Sequence, residues 1–190
     1  MAETIRFAAG KPCTSDKDAE MVVAAQRDLT DFKPLYLKWL PPVYRYFYYR
    51  VRNVKDAEDL TSQVFLKVYE ELPRYTNRGQ FTAWLFTIVR HKAADHFRKQ
   101  NPTLSLEEFD PADQAMDLLS QAVHTDEMQR LQRLIHSLPE DEQELIRLRF
   151  VAGLGYREIG TLLHRKEDAV RKSITRLLAR LQSQLEESHE

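Results

Sequence analysis

Cysteine is almost missing from this sequence: Cys13 is the single example, so neither an internal disulfide nor a thiolate metal cluster can form within the chain. It sits in a polar N-terminal stretch with none of the surroundings of a nucleophile. Glycine is scarce, five in 190 residues. No Gly-rich phosphate loop, Gly-x-Ser-x-Gly elbow or His-Glu-x-x-His pair occurs, which removes the common sequence signs of nucleotide, serine-hydrolase and zinc-protease chemistry. No apolar run approaches the roughly 18 to 20 residues of a membrane span. The start of the chain also lacks a basic segment followed by an apolar one. These absences predict a cytoplasmic protein that is not an enzyme and needs no cofactor.

A bulk excess of charge is absent too, the net value being -1. The average conceals an asymmetry. Residues 20–100 hold 14 Lys and Arg against nine Asp and Glu; residues 101–127 hold none against seven; residues 128–190 hold 11 against ten. Attraction for nucleic acid would therefore come from patches rather than from net charge. What is plentiful is Leu, Glu, Arg and Ala, with 43% hydrophobic residues overall. That composition favours helices around compact cores.

The stretch 56–99 is the most informative. Ala57, Leu60, Val64, Val68 and Leu72 fall on one side of a helix at 100° per residue, which makes that side core. The other side carries Glu58, Asp59, Ser62, Gln63 and Lys67, with Leu66 among them and Tyr69 nearby. A polar face with an apolar centre suits a protein partner. Pro73 closes this helix, 75–80 form a polar loop with Gly79, and a second helix is predicted from Phe81 to Lys99. Phe81, Trp84, Leu85, Ile88 and Val89 form its buried side. Ala83, Thr87, Arg90, Ala94 and Arg98 follow one another along a different stripe, with His91 and Lys99 at its edges. Arginines separated by small residues let a helix backbone approach a phosphate chain closely.

Around this stretch, residues 1–15 show no periodicity and are expected to be disordered. A helix is predicted from Asp16 and another near Thr30, read as an N-cap, with Pro41-Pro42 expected to stop or bend it before helix resumes over 43–51. The tyrosines of 44–49 could stack on bases or pack as core and rim. Residues 101–125, punctuated by Pro102 and Pro111, form an acidic linker with a weak helical pattern near 114–123.

A second helical unit is predicted over 126–190. Met128, Leu131, Leu134, Ile135 and Leu138 mark one helix and 140–150 another. Tyr156 to Leu163 then gives a short helix, 164–167 a turn, and a longer helix capped by Asp168 runs to about Ser183. Short helix, tight turn and longer helix is the helix-turn-helix order. The last helix buries Val170, Ile174, Leu177, Leu178 and Leu181, leaving Arg171, Lys172, Thr175 and Arg176 outside. Arginine can read guanine edges in the major groove and lysine can neutralise phosphate. The fold class is thus all-α, with two small helical domains, 16–100 and 126–190, joined by an acidic linker.

Asp56-Ala-Glu-Asp-Leu-Thr-Ser-Gln-Val-Phe65, Phe81-Thr-Ala-Trp-Leu-Phe-Thr-Ile88 and Asp95-His-Phe-Arg98 resemble region 2 of the sigma-70 family of bacterial transcription initiation factors. Leu138-Pro-Glu-Asp-Glu-Gln-Glu-Leu-Ile-Arg-Leu-Arg-Phe150 and Gly155-Tyr-Arg-Glu-Ile-Gly160 resemble region 4. The order of region 2, acidic linker and region 4 is that of the small extracytoplasmic-function (ECF) type. The resemblance implies that Asp59, Ser62, Gln63 and Leu66 dock on core RNA polymerase. It implies that 75–80, with Asn77 and Arg78, receives an unpaired base of the minus-ten element, while Thr87, Arg90, His91 and Arg98 hold the strand. Arg171, Lys172, Thr175 and Arg176 would read the minus-thirty-five element. It implies promoter DNA and an anti-sigma factor as further partners, and a linker that passes near the polymerase active-site cleft. The chain departs from the family pattern at Ser62-Gln63, commonly Gln-Glu, at His91, commonly Asn, and at His164 and Asp168, commonly Gly.

Two rival readings come from the same residues. His91 and Asp95 at i,i+4 could share a metal ion, but His96 points about 100° away around the helix, and Arg90 and Lys92 would repel a cation, so no metal is expected. A helix-turn-helix regulator with an N-terminal sensing or dimerisation domain would explain the last third of the chain. It leaves the basic stripe and the Leu66 face without roles.

Overall fold

The computed structural model describes residues 15–76, 79–100 and 126–187. Residues 1–14 of the predicted N-terminal tail, with Cys13, the acidic linker 101–125 with its weak helix, and the two loop residues Asn77 and Arg78 lie outside the described residues. The rest is helical, with no strand among the described residues: α1 (Ser15–Arg27), α2 (Phe32–Val51), α3 (Val54–Glu71), α4 (Phe81–Gln100), α5 (Asp126–His136), α6 (Glu140–Ile146), α7 (Tyr156–Leu162) and α8 (Glu167–Glu187). No helix among them is long and apolar enough to cross a membrane.

Helix α2 differs from the expected break. It runs unbroken through Pro41 and Pro42, although each proline removes an intrahelical donor and crowds the preceding turn. Burial outweighs that cost. Trp39, Val43, Tyr46 and Phe47, on both sides of the proline pair, are almost completely buried, and burying a large apolar side chain contributes about 1.5–3 kcal/mol. Pro42 is itself buried, whereas Pro41 faces outward. Nor is Thr30 a cap. Asp28 accepts from the Thr30 N–H at 2.9 Å and caps a short 3-10 turn, Leu29–Asp31, that leads into α2.

At its other end α2 stops on Arg52, which adopts φ 55° and donates its N–H to the Tyr48 carbonyl. Asn53 then caps α3, its side chain accepting from the Asp56 N–H at 3.0 Å. This tight reversal lays α3 against α2. Ala57, Leu60, Val64, Val68 and Leu72 are all buried there as their spacing predicts.

Helix α1 is fastened at both ends. Asp18, 2% exposed, accepts from Lys38 Nζ at 2.6 Å and from Trp39 Nε1 at 3.3 Å. Gln26 Nε2 donates to the carbonyls of Leu72, at 2.9 Å, and Tyr75, at 2.6 Å. The second pair fixes the chain where it leaves α3 for the 75–80 loop. The Tyr75 ring also rests on Trp84, 4.6 Å between centroids, and on Phe81.

In the second unit α6 does not continue as an ordinary helix to Phe150. Residues Arg147–Val151 form a π turn, with the Ala152 N–H reaching back five residues to the Arg147 carbonyl. The extra residue per turn points Leu148 and the following Leu154 inward, both essentially buried. Helix α8 begins at Glu167 rather than at a cap on Asp168, and extends to Glu187 because Leu185 prolongs its buried stripe.

The two units pack together. One continuous core joins Phe47, Phe81 and Phe86 of the first to Leu148, Leu154, Ile159 and Val170 of the second.

Candidate polymerase and nucleic-acid interface

On α3, Asp59, Ser62, Gln63 and Leu66 are all exposed. Leu66 is 60% exposed and Tyr69 41%. Leu66, Gln63, Lys67 and Lys92 line a shallow depression between α3 and α4. The sequence pattern therefore gives an apolar centre with a charged rim on a rigid helix. Such a surface can exclude water at its centre on docking and choose its partner through the rim.

The α4 stripe is divided by its surroundings. Thr87, His91, Ala94 and Arg98 are exposed, and Arg98, 77% exposed, pairs with Asp95 at 2.8 Å. Ala83 and Arg90, expected on the same open stripe, meet the second unit, Arg90 with 39% of its side chain still exposed. Ala83 is 7% exposed, and α7 packs along α4. Arg90 Nε donates to Glu144 Oε1 at 3.0 Å. Of the residues weighed for a metal, His96 lies 3.7 Å from Asp56 and Asp95 is engaged by Arg98.

Glu144 is the centre of this contact. It is 7% exposed and accepts from the Tyr46 hydroxyl at 2.9 and 3.1 Å, from Arg90, and from Arg147 Nε at 3.2 Å. Arg50 lies 3.7 Å from it and bonds to Glu140, which Arg147 also holds. Burial, followed by the negative charge of Glu144, pushes the Tyr46 phenol well above its ordinary value and keeps it a donor. Burial and then the neighbouring Arg147 lower Arg50 from the usual guanidinium range. Nearby, Arg45 Nε donates to the Val151 carbonyl at 3.1 Å, and Arg52 meets His136 Nε2 at 3.0 Å.

Glu158 lies at the other edge of the contact, its Oε2 accepting from the Gly155 N–H at 2.6 Å. Burial raises its pKa, while the Gly155 N–H and the Thr82 hydroxyl oppose the shift. A carboxyl with a raised native pKa binds its proton more tightly folded than unfolded. The unfolded chain therefore ionises first as pH rises from the ordinary value of 4.5. This contribution to stability is complete below that value and is lost as pH climbs through the native one. Glu158→Gln keeps an acceptor for Gly155 and removes the charge. It should raise the neutral-pH melting temperature by about 2–4 °C, on the order of 1 kcal/mol, with the gain vanishing near pH 4. Paired melts at the two pH values check this.

The helix-turn-helix is formed by α7, which packs on α4, the turn after it, and α8, which packs on α7. In the turn, His164 adopts φ 54°, the left-handed conformation in which glycine is the usual residue. Gly160 packs so closely that a Cβ there would lie 2.6 Å from the Arg165 carbonyl oxygen, and the Arg165 N–H donates to the Gly160 carbonyl at 2.8 Å. Arg171, Lys172, Thr175 and Arg176 are all exposed on α8. Arg171 is already oriented, by Glu167 at 2.8 Å and by the Tyr156 ring, which also carries Arg149 on it at 4.6 Å. Sequence reasoning missed Tyr46, Arg50 and Glu144. Glu144 sits in a run of carboxylates at the start of α6, and only the docking of the two units distinguishes it from its neighbours.

A helical unit with an apolar-centred polar face, followed by a helix-turn-helix, is the architecture of a sigma-70 family protein. Residues 35–103 match Sigma-70 region 2 and residues 128–181 match Sigma-70, region 4. The chain is 31% identical over 178 residues to the ECF RNA polymerase sigma factor SigD of Mycobacterium bovis, covering 88% of this chain and 83% of SigD. It is 35% identical over 177 residues to the ECF sigma factor BldN of Streptomyces coelicolor, covering 85% of this chain but 64% of BldN. The chain belongs to the sigma-70 family, among its ECF RNA polymerase sigma factors, which are transcription initiation factors. Its fold is also that of CnrH solved in complex with the cytosolic domain of CnrY, with a TM-score of 0.63, 21% identity and coverage of 89% of this chain and 97% of CnrH. Sigma factor RpoE of Bartonella quintana, solved with the anti-sigma factor NepR, gives a TM-score of 0.59 at 22% identity, covering 82% and 97%.

Proposed function

We propose that this chain binds core RNA polymerase through α3, carries it to promoters and helps open the minus-ten element, without catalytic chemistry of its own and in the cytoplasm. The observation that supports this most is the Leu66 face: a leucine 60% exposed among Asp59, Ser62 and Gln63 on a helix whose opposite side is fully buried. An isolated regulator has no use for such a face. Asn77 and Arg78 of the 75–80 loop would receive an unpaired base, and Thr87, Arg90, His91 and Arg98 would hold the strand. Contacts to the extruded base and backbone offset the few kcal/mol lost on unstacking. Arg171, Lys172, Thr175 and Arg176 would read the upstream element. By analogy with RpoE, an anti-sigma factor is a further partner.

The test is transcription by purified core polymerase from a randomised promoter library, with and without this chain. Enrichment of a two-part promoter is expected; no enrichment and no association with core polymerase would overturn the reading. Leu66→Arg, at an exposed position, should melt like the parent protein yet weaken polymerase binding at least about tenfold. Unchanged binding would move the interface off α3.

A further inference from the structure

We infer that Tyr46, Arg50 and Arg90 form an anion site for a nucleic-acid phosphate, and that Glu144 of the second unit occupies this site as an internal substitute for that phosphate until DNA displaces it. The inference rests on the reading of α4 as a strand-binding face and adds to it a second site component, a competitor and a conformational consequence.

The geometry is that of a liganded anion pocket. One carboxylate takes a hydroxyl donor from Tyr46 and a guanidinium donor from Arg90, with Arg50 3.7 Å away. All three belong to the first unit, and the carboxylate comes from the second. A phosphate offers the same chemistry: negative oxygens that accept from a fixed phenol and from arginine forks. The charges also match. Glu140 and Glu144 face Arg50, Arg90 and Arg147, so undocking the second unit leaves Arg50 and Arg90 without their carboxylates in a unit that already has a basic excess.

Two neighbouring contacts follow the same pattern. Arg45 is held by the Val151 carbonyl and Arg52 meets His136, both across the same boundary. Four arginines of the first unit are thus turned toward the second. In the docked form Arg50 is largely covered and Arg90, 39% exposed at its side chain, is tied to Glu144, so the carboxylate competes with a strand for it, while Arg45 stays exposed.

The experiment uses the full chain, a fluorescein-labelled single-stranded oligonucleotide and small-angle scattering, with no polymerase present. Glu144→Gln is expected to enlarge the radius of gyration and tighten oligonucleotide binding about tenfold. Adding Arg90→Ala to it should cancel the gain in binding. In the parent protein, oligonucleotide should itself enlarge the radius. Unaltered affinity in Glu144→Gln, or oligonucleotide binding to the parent without expansion, would overturn the inference. Should Glu144→Gln fail to fold, Tyr46→Phe, which deletes one donor and keeps every charge, must give a smaller expansion of the same sign; no expansion there counts against the lock. Opening and DNA competition observed in a chain that never supports promoter-directed transcription would sink the polymerase reading and leave this one standing. The reverse pattern would do the opposite.

Discussion

Gly160→Val is expected to abolish upstream-element binding and to lower the stability of the second unit by about 2–3 kcal/mol. The reason is space rather than backbone conformation. A Cβ at 160 would lie 2.6 Å from the Arg165 carbonyl oxygen and 3.4 Å from the Glu167 backbone nitrogen. Both obstacles are main chain, so no rotamer change can relieve them. The 164–166 turn would have to move away from α7, breaking the Arg165 N–H bond to the Gly160 carbonyl and tilting α8 from its first residue. Every exposed side chain on that helix would shift together. Arg176→Ala gives the contrast, since it removes one exposed side chain and leaves the turn alone. It should melt like the parent and change base preference by about 1–3 kcal/mol at one promoter position. Thermal melts with upstream-element binding separate the two; Gly160→Val that melts and binds normally would show that α7 and α8 tolerate separation.

The contrast also shows what could be read in the sequence. Helical periodicity located α3, α4 and α8 and the main buried side of α3 and α8, because a face packed against neighbours for five turns leaves a regular record, whereas α4 is buried at Ala83 and Phe86 as well. It gave the exposed Leu66 for the same reason: a lone leucine on the polar side has no core to enter. Local signals failed where packing overruled them. Pro41 and Pro42 signal a break, yet the side chains on both sides of them are buried so completely that α2 continues. Leu148 and Leu154 signal nothing unusual, but burying both requires the π turn between α6 and α7. The Glu144 contact was invisible for a different reason. It pairs residues 54 and 98 positions apart, and neither helix carries a periodic trace of the other. His164 shows the opposite case: the family's usual glycine is absent, but the left-handed turn is kept.

Trp39→Ala should have the largest effect on stability, a loss of about 3–5 kcal/mol from a total that is ordinarily 5–15 kcal/mol. The indole is 1% exposed and lies 6.4 Å from Phe81 and 6.0 Å from Phe86, centroid to centroid, at the start of α4. It also donates to Asp18 from α1. Truncation therefore opens a cavity between α1, α2 and α4 and leaves the buried Asp18 with Lys38 as its remaining donor, which adds a desolvation cost to the cavity term. Trp39→Phe separates these contributions, since it fills most of the space without the N–H and should lose about 1–2 kcal/mol. Function should follow the α4 terminus. Phe81 anchors Tyr75 on one side, and Thr82 beside it faces Glu158 on the other, so loosening Trp39 disturbs both the loop proposed to take the extruded base and the docking of the second unit. Denaturant melts of the two variants, with oligonucleotide binding below each midpoint, measure this. Equal losses for Phe and Ala would assign the stabilisation to the Asp18 bond instead of the packed ring.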